Sequence, residues 1–428
     1  MIISFFLFIV QQHWIRSLSF RVMLFAIALL SCAMQYWVFK RVDTVSGGFF
    51  SKKALHKKIA EGLFIFFNLP FIFVITQPIP LREIPPIIFH LFFYPFYIWQ
   101  SATFFIFALL FLFSVLKYVV IKFYKTLLFI RPFNLKVERM KTTPSYQKFN
   151  SSRRKFLQTG LIGVSGYSFI GSAMGMVDKN EYEVVNRTIT IQNLPEEFKG
   201  FTIGLISDIH SSVFMTKEEM DEYVKTTNAL NTDLILVTGD FVNSQTEEVY
   251  PFAEAFSNLK AKHGIYGCLG NHDFFANDVE RVAKEVNDCG VKLLRNDAVQ
   301  ISKGNSFFNL IGVDDIGRGV DPDDYLNRAL SSVKNRQPKI LLCHKPYYFD
   351  NFDKLGMDLT LSGHTHGGQI VFAKLNNTYV AFASLFSKYV AGLYKKNNSQ
   401  MYVNRGIGTV GVPLRINCPP EITKITLA

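Results

Sequence analysis

The sequence predicts an α-helical membrane region followed by an α/β domain. Three observations carry that prediction. Charge divides unevenly, with 20 Lys+Arg against 4 Asp+Glu in residues 1–176 but 26 against 30 in residues 177–428. Long apolar runs are confined to the first part, which also helps to raise the Phe count to 43. From about Glu183 short β-rich runs alternate with amphipathic segments, the pattern of an α/β domain with buried sheets.

The N-terminal elements follow from length and flanking charge. Residues 22–38 and 61–77 are each about long enough to span hydrocarbon. A third run, from Ile87 to about Val120, is too long for one ordinary span. Its opening, "IIFHLFFYPFYIWQ", is read as interfacial, with the span proper near residues 100–120. The first ten residues, "MIISFFLFIV", read as either a fourth span or a re-entrant piece. Residues 39–59 carry six Lys/Arg and one Asp, and residues 121–155 carry ten Lys/Arg and one Glu. Residues 78–86 carry one Arg and one Glu. The positive-inside rule puts both basic loops in the cytoplasm and 78–86 outside. Basic residues that flank apolar runs in this way mark a membrane protein rather than a nucleic-acid binder.

Residues 151–176, "SSRRKFLQTGLIGVSGYSFIGSAMGM", join a basic stretch to a modestly apolar, Gly-rich one. Ser152, Arg153, Arg154, Lys155, Phe156 and Leu157 resemble a twin-arginine export signal, although a basic linker before a short helix gives the same string. The expected organisation is a membrane-spanning region over 1–125, a basic linker with the last apolar segment over 126–182, and a catalytic domain over 183–428.

Within that domain "FTIGLIS", "DLILVTG", "GIYGCLG", "SFFNLIGV", "KILLCH" and "DLTLSGH" read as strands. The segment 216–230 opens with the capping box Thr216-x-x-Glu219 and reads as a helix. In "AFASLFSKYVAGLYKK", Phe382, Phe386, Tyr389 and Leu393 recur at helical spacing, bordered by Lys388, Lys395 and Lys396. That segment is expected to be a short helix, either facing the core or dipping into lipid headgroups. The five cysteines show no paired spacing, so neither a disulfide framework nor a zinc ribbon is expected.

Several strands end in polar clusters: Asp208 and His210; Asp240; Asn271, His272 and Asp273; His344; and His364 and His366. Each cluster alone is an ordinary turn, but five of the chain's nine histidines fall in them. Carboxyl ends of strands are where open α/β sheets build their sites. A mixed oxygen and nitrogen donor set without thiolate suits manganese, iron or zinc better than calcium or magnesium. Seven donors are too many for one ion and about right for two, with one carboxylate shared.

The ordered set D-x-H, G-D, G-N-H-D, H and G-H-T-H resembles the calcineurin-like metallophosphoesterases, over about residues 183–428. "GHTHGGQI" and "YVNRGIGTVGVPLRINCPPEI" are similar to the membrane-associated bacterial phosphodiesterase branch, whose relatives include enzymes acting on UDP-diacylglucosamine. The resemblance implies a four-layer sandwich, two mixed sheets flanked by helices. It implies that Asp208, His210 and His366 bind one metal and Asn271, His344 and His364 the other, with Asp240 bridging. It also implies that His272, oriented by Asp273, faces substrate as an acid/base group, and that a hydroxide held between the metals attacks phosphorus.

The leading expectation is a membrane-anchored phosphoesterase acting outside the cytoplasm on a phosphate ester, lipid-linked by analogy. The alternatives are a cytoplasm-facing pyrophosphatase of the UDP-diacylglucosamine type and a catalytically silent metal-binding membrane scaffold. No nucleic-acid partner is expected; the lipid bilayer is.

Overall fold

Apolar runs become helices, and strand-like runs become strands, in a computed structural model that describes residues 18–76, 84–141, 143–177, 181–317, 319–333, 336–375 and 378–428. The run "MIISFFLFIV" and most of the 78–86 loop lie outside these residues. The described residues form two compact units, Leu18–Met174 and Gly175–Ala428.

The first unit is helical. Leu18–Val45, Ala54–Thr76 and Tyr94–Leu127 contain the three apolar runs, and Pro144–Val177 contains the basic and Gly-rich segment. The stretch expected at the interface is helical, passing through Pro86–Ile88 and a π-helical turn Phe89–Phe93 straight into the long helix. Its Phe89, Phe93, Phe96 and Tyr97 are buried within the unit, so their aromatic bulk packs helices together. Further along, Leu109, Leu112, Leu116, Val119 and Phe123 are exposed. A helix apolar on every side needs a core or lipid to cover it, and among the described residues no core covers this stretch. Among the described residues Phe89–Leu127 and Lys155–Val177 are long and apolar enough to cross a membrane.

One buried feature of this unit is polar. Gln35 Nε2 donates to Asn68 Oδ1 (3.0 Å) and Gln100 Oε1 (3.0 Å). Gln35 Oε1 accepts from Asn68 Nδ2 and Trp99 Nε1, both at 2.9 Å. Ser31 Oγ donates to Gln100 Oε1 (2.8 Å), and Gln100 Nε2 to Asn68 Oδ1 (3.1 Å). Amides from three helices thus satisfy one another, the arrangement that ties helices together where no water is at hand.

The second unit is built on two six-stranded sheets. The first has the order β1 (Glu183–Ile189), β14 (Glu421–Leu427), β2 (Thr202–Ile206), β3 (Leu234–Val237), β4 (Ile265–Gly267), β5 (Lys292–Leu293). The second runs β12 (Gly392–Lys396), β13 (Ser399–Val403), β9 (Leu359–Ser362), β8 (Lys339–Leu342), β7 (Ser306–Gly312), β6 (Asp297–Lys303). Both are mixed: β14 is antiparallel to β2, and β6 to β7, while β2, β3 and β4 run parallel and so do β7, β8 and β9. A small hairpin, β10 (Val371–Leu375) with β11 (Thr378–Ala381), stands apart from both.

Period-two alternation explains the layers. Leu234 and Leu236 of β3 pack with Ile340 and Leu342 of β8 between the sheets. Ile235 and Val237 instead join helices Lys217–Ala229, Val249–Phe256 and Val279–Asp288 on the outer side. Leu341 faces the opposite outer layer, with Leu326 and Phe352 from helices Pro322–Leu330 and Phe349–Lys354. The result is the four-layer sandwich expected. Each predicted strand forms, and the Thr216 capping box closes the start of helix Lys217–Ala229.

The segment 382–396 departs from expectation. Phe382–Leu385 is a single 3-10 turn, and residues from Gly392 form β12 paired antiparallel with β13. Helical spacing there was coincidental: Gly392 takes a φ of 91°, a left-handed value no helix interior accommodates. Tyr389 is core, packed beside Phe349, whereas Leu385 and Phe386 are exposed.

Candidate metal centre

The strand ends deliver their side chains to one place. β2, β3 and β4 are adjacent in one sheet and β8 and β9 in the other, so the loops after them converge from both sheets. Asp208, His210, Asp240, Asn271, His344 and His366 are buried, and His364 is half-buried. Donor atoms group into Asp208, His210, His366; into Asp240, His344, His364; and into His210, Asp240, His272.

Distances within these groups are those of side chains facing a shared centre. His210 Nε2 lies 3.0 Å from His366 Nε2, and His364 Nδ1 lies 3.2 Å from His344 Nε2. Asp240 Oδ2 lies 3.0 Å from His344 Nε2 and 3.5 Å from His210 Nε2, placing one carboxylate between the two groups. Asn271 Oδ1 and His210 Nδ1 are buried with no hydrogen-bond partner. A buried acceptor without a partner costs about 1–3 kcal/mol, so Asn271 Oδ1 is held for something that accepts its lone pair.

The backbone is bent to achieve this. Asp208, His210, Asp240, His364 and His366 take φ values of 50°, 49°, 55°, 71° and 51°. Left-handed backbone costs a non-glycine residue on the order of 1 kcal/mol or more, and such outliers gather at functional sites. Two glycines clear the space: a Cβ on Gly270 would sit 2.2 Å from Asp240 Oδ1, and one on Gly363 would sit 2.1 Å from Asp208 Oδ2.

Other residues hold the donors in place. Asp208 accepts from the His364 N–H at 2.8 and 3.0 Å and from the Ser207 hydroxyl. His344 Nδ1 donates to the Thr238 carbonyl (2.7 Å), which presents Nε2 to the centre. His272 Nδ1 donates to the Asn243 carbonyl, and its own N–H donates to Asp240 Oδ1 (2.8 Å). Asp273 accepts from the N–H groups of Asp240 (3.0 Å), Phe241 (2.8 Å), Val242 (3.2 Å) and Gly270 (2.8 Å). Its carboxylate therefore organises the Asp240 loop, while the orientation of His272 comes from Asn243.

Electrostatics divide the imidazoles. Burial drives His210, His364 and His366 well below the usual imidazole range, reinforced by His272, His344 and Arg415 respectively. These three are neutral, the form that binds metal. Burial also opposes charge on His344, but Asp240 and Asp208 push it up to about 10. Burial works against Asp240 too, yet His344 and His272 hold it well below the carboxylate range. Asp208 is pushed up to about 6, chiefly by burial.

Sequence reasoning missed the supports: Ser207, Thr238, Asn243 and Arg415. Arg415 is buried, donating to the carbonyls of Gly408 (2.6 Å), Arg405 (2.9 Å) and Cys418 (3.1 Å), with Nη2 3.4 Å from His366 Nδ1. A buried guanidinium whose partners are backbone carbonyls and one ring nitrogen leaves no trace in a single sequence beyond the glycines around it.

The donor set fits a pair of divalent ions: a buried amide oxygen without a partner among the described residues, three neutral imidazoles, a fourth from which a cation would displace a proton, and a carboxylate shared between two groups. A two-sheet sandwich carrying buried His/Asp clusters of this kind defines a metallophosphoesterase. The model of the calcineurin-like phosphoesterase family matches residues 201–368. An uncharacterized metallophosphoesterase of Helicobacter pylori is 30% identical over 302 residues, covering 69% of this chain and 76% of its own. The uncharacterized metallophosphoesterase YkuE of Bacillus subtilis is 31% identical over 287 residues, 64% of this chain and 97% of its own. A Danio rerio transmembrane protein with metallophosphoesterase domain is 31% identical over 259 residues, and the match spans 57% of each chain. The chain belongs to the calcineurin-like phosphoesterase family.

Proposed function

We propose that the chain is a membrane-anchored phosphoesterase that uses two divalent ions to hydrolyse a lipid-linked phosphate ester. The observation that carries this reading is Asp240, whose Oδ2 lies within 3.5 Å of imidazoles from both donor groups. Asp208, His210 and His366 would hold one ion and Asn271, His344 and His364 the other, with Asp240 available to both. Manganese, iron and zinc match these donors. When bound, such ions supply Lewis acidity toward phosphoryl oxygens and ionise water near neutral pH.

The chain's own groups do the rest. With Nδ1–H donated to Asn243, His272 turns Nε2 toward a phosphoryl or leaving-group oxygen; once protonated there, as the imidazolium, it can stabilise charge or pass that proton to the leaving group. Asp273 is a positioning residue that fixes the backbone carrying Asp240. The exposed Tyr347, its ring centroid 5.3 Å from that of half-buried His364, gives an aromatic border.

The lipid-linked substrate and the placement of the catalytic unit outside the cytoplasm rest on the apolar helices, the basic 121–155 segment and the twin-arginine-like residues 152–157. Purified full-length protein loaded with manganese should hydrolyse bis(p-nitrophenyl) phosphate. A metal-loaded protein without hydrolysis of any phosphate ester would leave the scaffold reading standing. Protease added to spheroplasts should digest residues beyond Glu183, and Arg153→Lys with Arg154→Lys should protect them. Full protection of the unmutated protein rules out the external placement and favours the cytoplasm-facing pyrophosphatase.

A further inference from the structure

The β10–β11 hairpin has two unlike faces. Val371 and Ala381 are buried and form a small cluster with Cys418, against which Tyr379 packs. The register pairs Ala373 with Val380 and Leu375 with Thr378, so these point to the other side. A bulge between Val371 and Ala373 breaks the alternation at Phe372. Phe372 (52%), Leu375 (67%) and Val380 (43%) are exposed, and the turn after β11 adds Leu385 (75%) and Phe386 (64%). Soluble surfaces scatter single apolar residues; they rarely group five large ones on a hairpin and its adjoining turn.

Charge on this segment is one-sided. Residues 359–420 contain no Asp or Glu, within a region 177–428 where acids outnumber bases 30 to 26. Arg405 and Arg415 are buried, and Lys396 pairs with Asp350 (2.6 Å), which also lies 3.6 Å from Lys388, so the cations this segment exposes are Lys374, Lys388 and Lys395. Lys374 lies over Tyr379 at 5.0 Å on the face opposite Leu375, and Lys388 over Tyr389 at 4.9 Å, beside Phe386. Lys388, two residues from Phe386, is the cation at the border of the apolar face, as at an anionic lipid surface.

The hairpin is also rooted in the metal centre. It starts three residues after Gly368, whose Cβ, were there one, would lie 2.5 Å from that of Ala381. Thr365, between His364 and His366, donates to the Val390 carbonyl, and Asn417 Nδ2 donates to the Val371 carbonyl (3.1 Å).

We infer that the outer face of the β10–β11 hairpin, with Leu385 and Phe386, docks on the anionic surface of the bilayer to which the chain is anchored. The apolar side chains enter the headgroup–acyl boundary and Lys388 meets lipid phosphates. Delivery of a lipid substrate rests on the function proposed above; the docking itself does not.

Full-length protein in nanodiscs of equal phosphatidylcholine and phosphatidylglycerol separates the two. With Cys32→Ser and Cys289→Ser removing the cysteines that are not fully buried, a fluorophore is placed at Leu385→Cys or, as control, at Lys284→Cys on helix Val279–Asp288. Doxyl-labelled lipid should quench the label at 385 and not at 284. Lys388→Glu should weaken that quenching. Equal quenching at both positions overturns the docking, whatever the enzyme hydrolyses. So does shielding of the 385 label that persists in detergent and grows with protein concentration, which assigns the face to a second copy. Phe372→Ser with Phe386→Ser should lower hydrolysis of a bilayer-embedded phosphodiester about tenfold, by loss of apolar burial, while sparing bis(p-nitrophenyl) phosphate. Equal loss on both substrates, with melting unchanged, removes the hairpin from substrate delivery.

Discussion

Two buried polar clusters, one in each unit, obey opposite rules. In the helical unit Gln35, Asn68 and Gln100 are neutral, and each amide oxygen and nitrogen meets a partner from Ser31, Trp99 or one another. In the α/β unit's cluster Asn271 Oδ1 and His210 Nδ1 meet none among the described residues, imidazole nitrogens face one another at 3.0 and 3.2 Å, and five of its members sit in left-handed backbone. A cluster complete in itself holds structure together. One that is incomplete is arranged for a ligand, and folding elsewhere offsets its cost.

The largest effect should come from the residue shared by both donor groups. Asp240→Asn keeps the volume but halves the anionic donors, so metal content and hydrolysis should fall together, hydrolysis by about 10³-fold or more. Metal analysis of the purified variant beside its turnover checks this; full metal content with full loss of activity would remove Asp240 from the bridge. His272→Ala should behave differently, keeping both ions while turnover slows roughly 10²–10⁴-fold, the range for a lost acid/base group. Loss of metal in that variant would make His272 a ligand. Asn243 reaches the same ring only through its backbone carbonyl, so side-chain changes there should spare the orientation of His272.

The catalytic unit was far more legible than the helical one, for physical reasons. Its strands alternate with period two, and its donors are rare residue types placed just after them, so His364 and His366 announce themselves. Supports are different: Thr238 contributes a carbonyl and Arg415 satisfies carbonyls, and backbone groups have no sequence signature. Asp273 looked like a partner for His272 because it is adjacent in the chain. One turn of helix instead aims its carboxylate at the Asp240 loop. In the helical unit the apolar runs were plain, but Gln35, Asn68 and Gln100 lie far apart in sequence and only the packing of three helices makes them one cluster. The segment 382–396 misled because aromatic residues at helical intervals arise just as readily from a turn followed by a strand.

The comparison can be sharpened by removing one amide from each cluster and melting the metal-free protein. Gln100→Leu leaves Ser31, Gln35 and Asn68 short of partners in an apolar surround, and should cost about 1–2 kcal/mol, lowering the melting temperature in detergent.

Asn271→Ala should have the smallest effect, and its sign carries the information. The substitution removes an acceptor that has no partner, recovering part of its burial cost, and gives up a few packing contacts. In metal-free protein the two should nearly cancel, within about 0.5 kcal/mol. With metal present the same change removes a donor, so the stabilisation that added manganese confers should shrink relative to the unmutated chain. Melting curves taken with chelator and with manganese isolate the difference. If Asn271→Ala destabilised the metal-free protein as much as Gln100→Leu does, its amide would be a structural group like those of the helical cluster, and the contrast between the two clusters would fail.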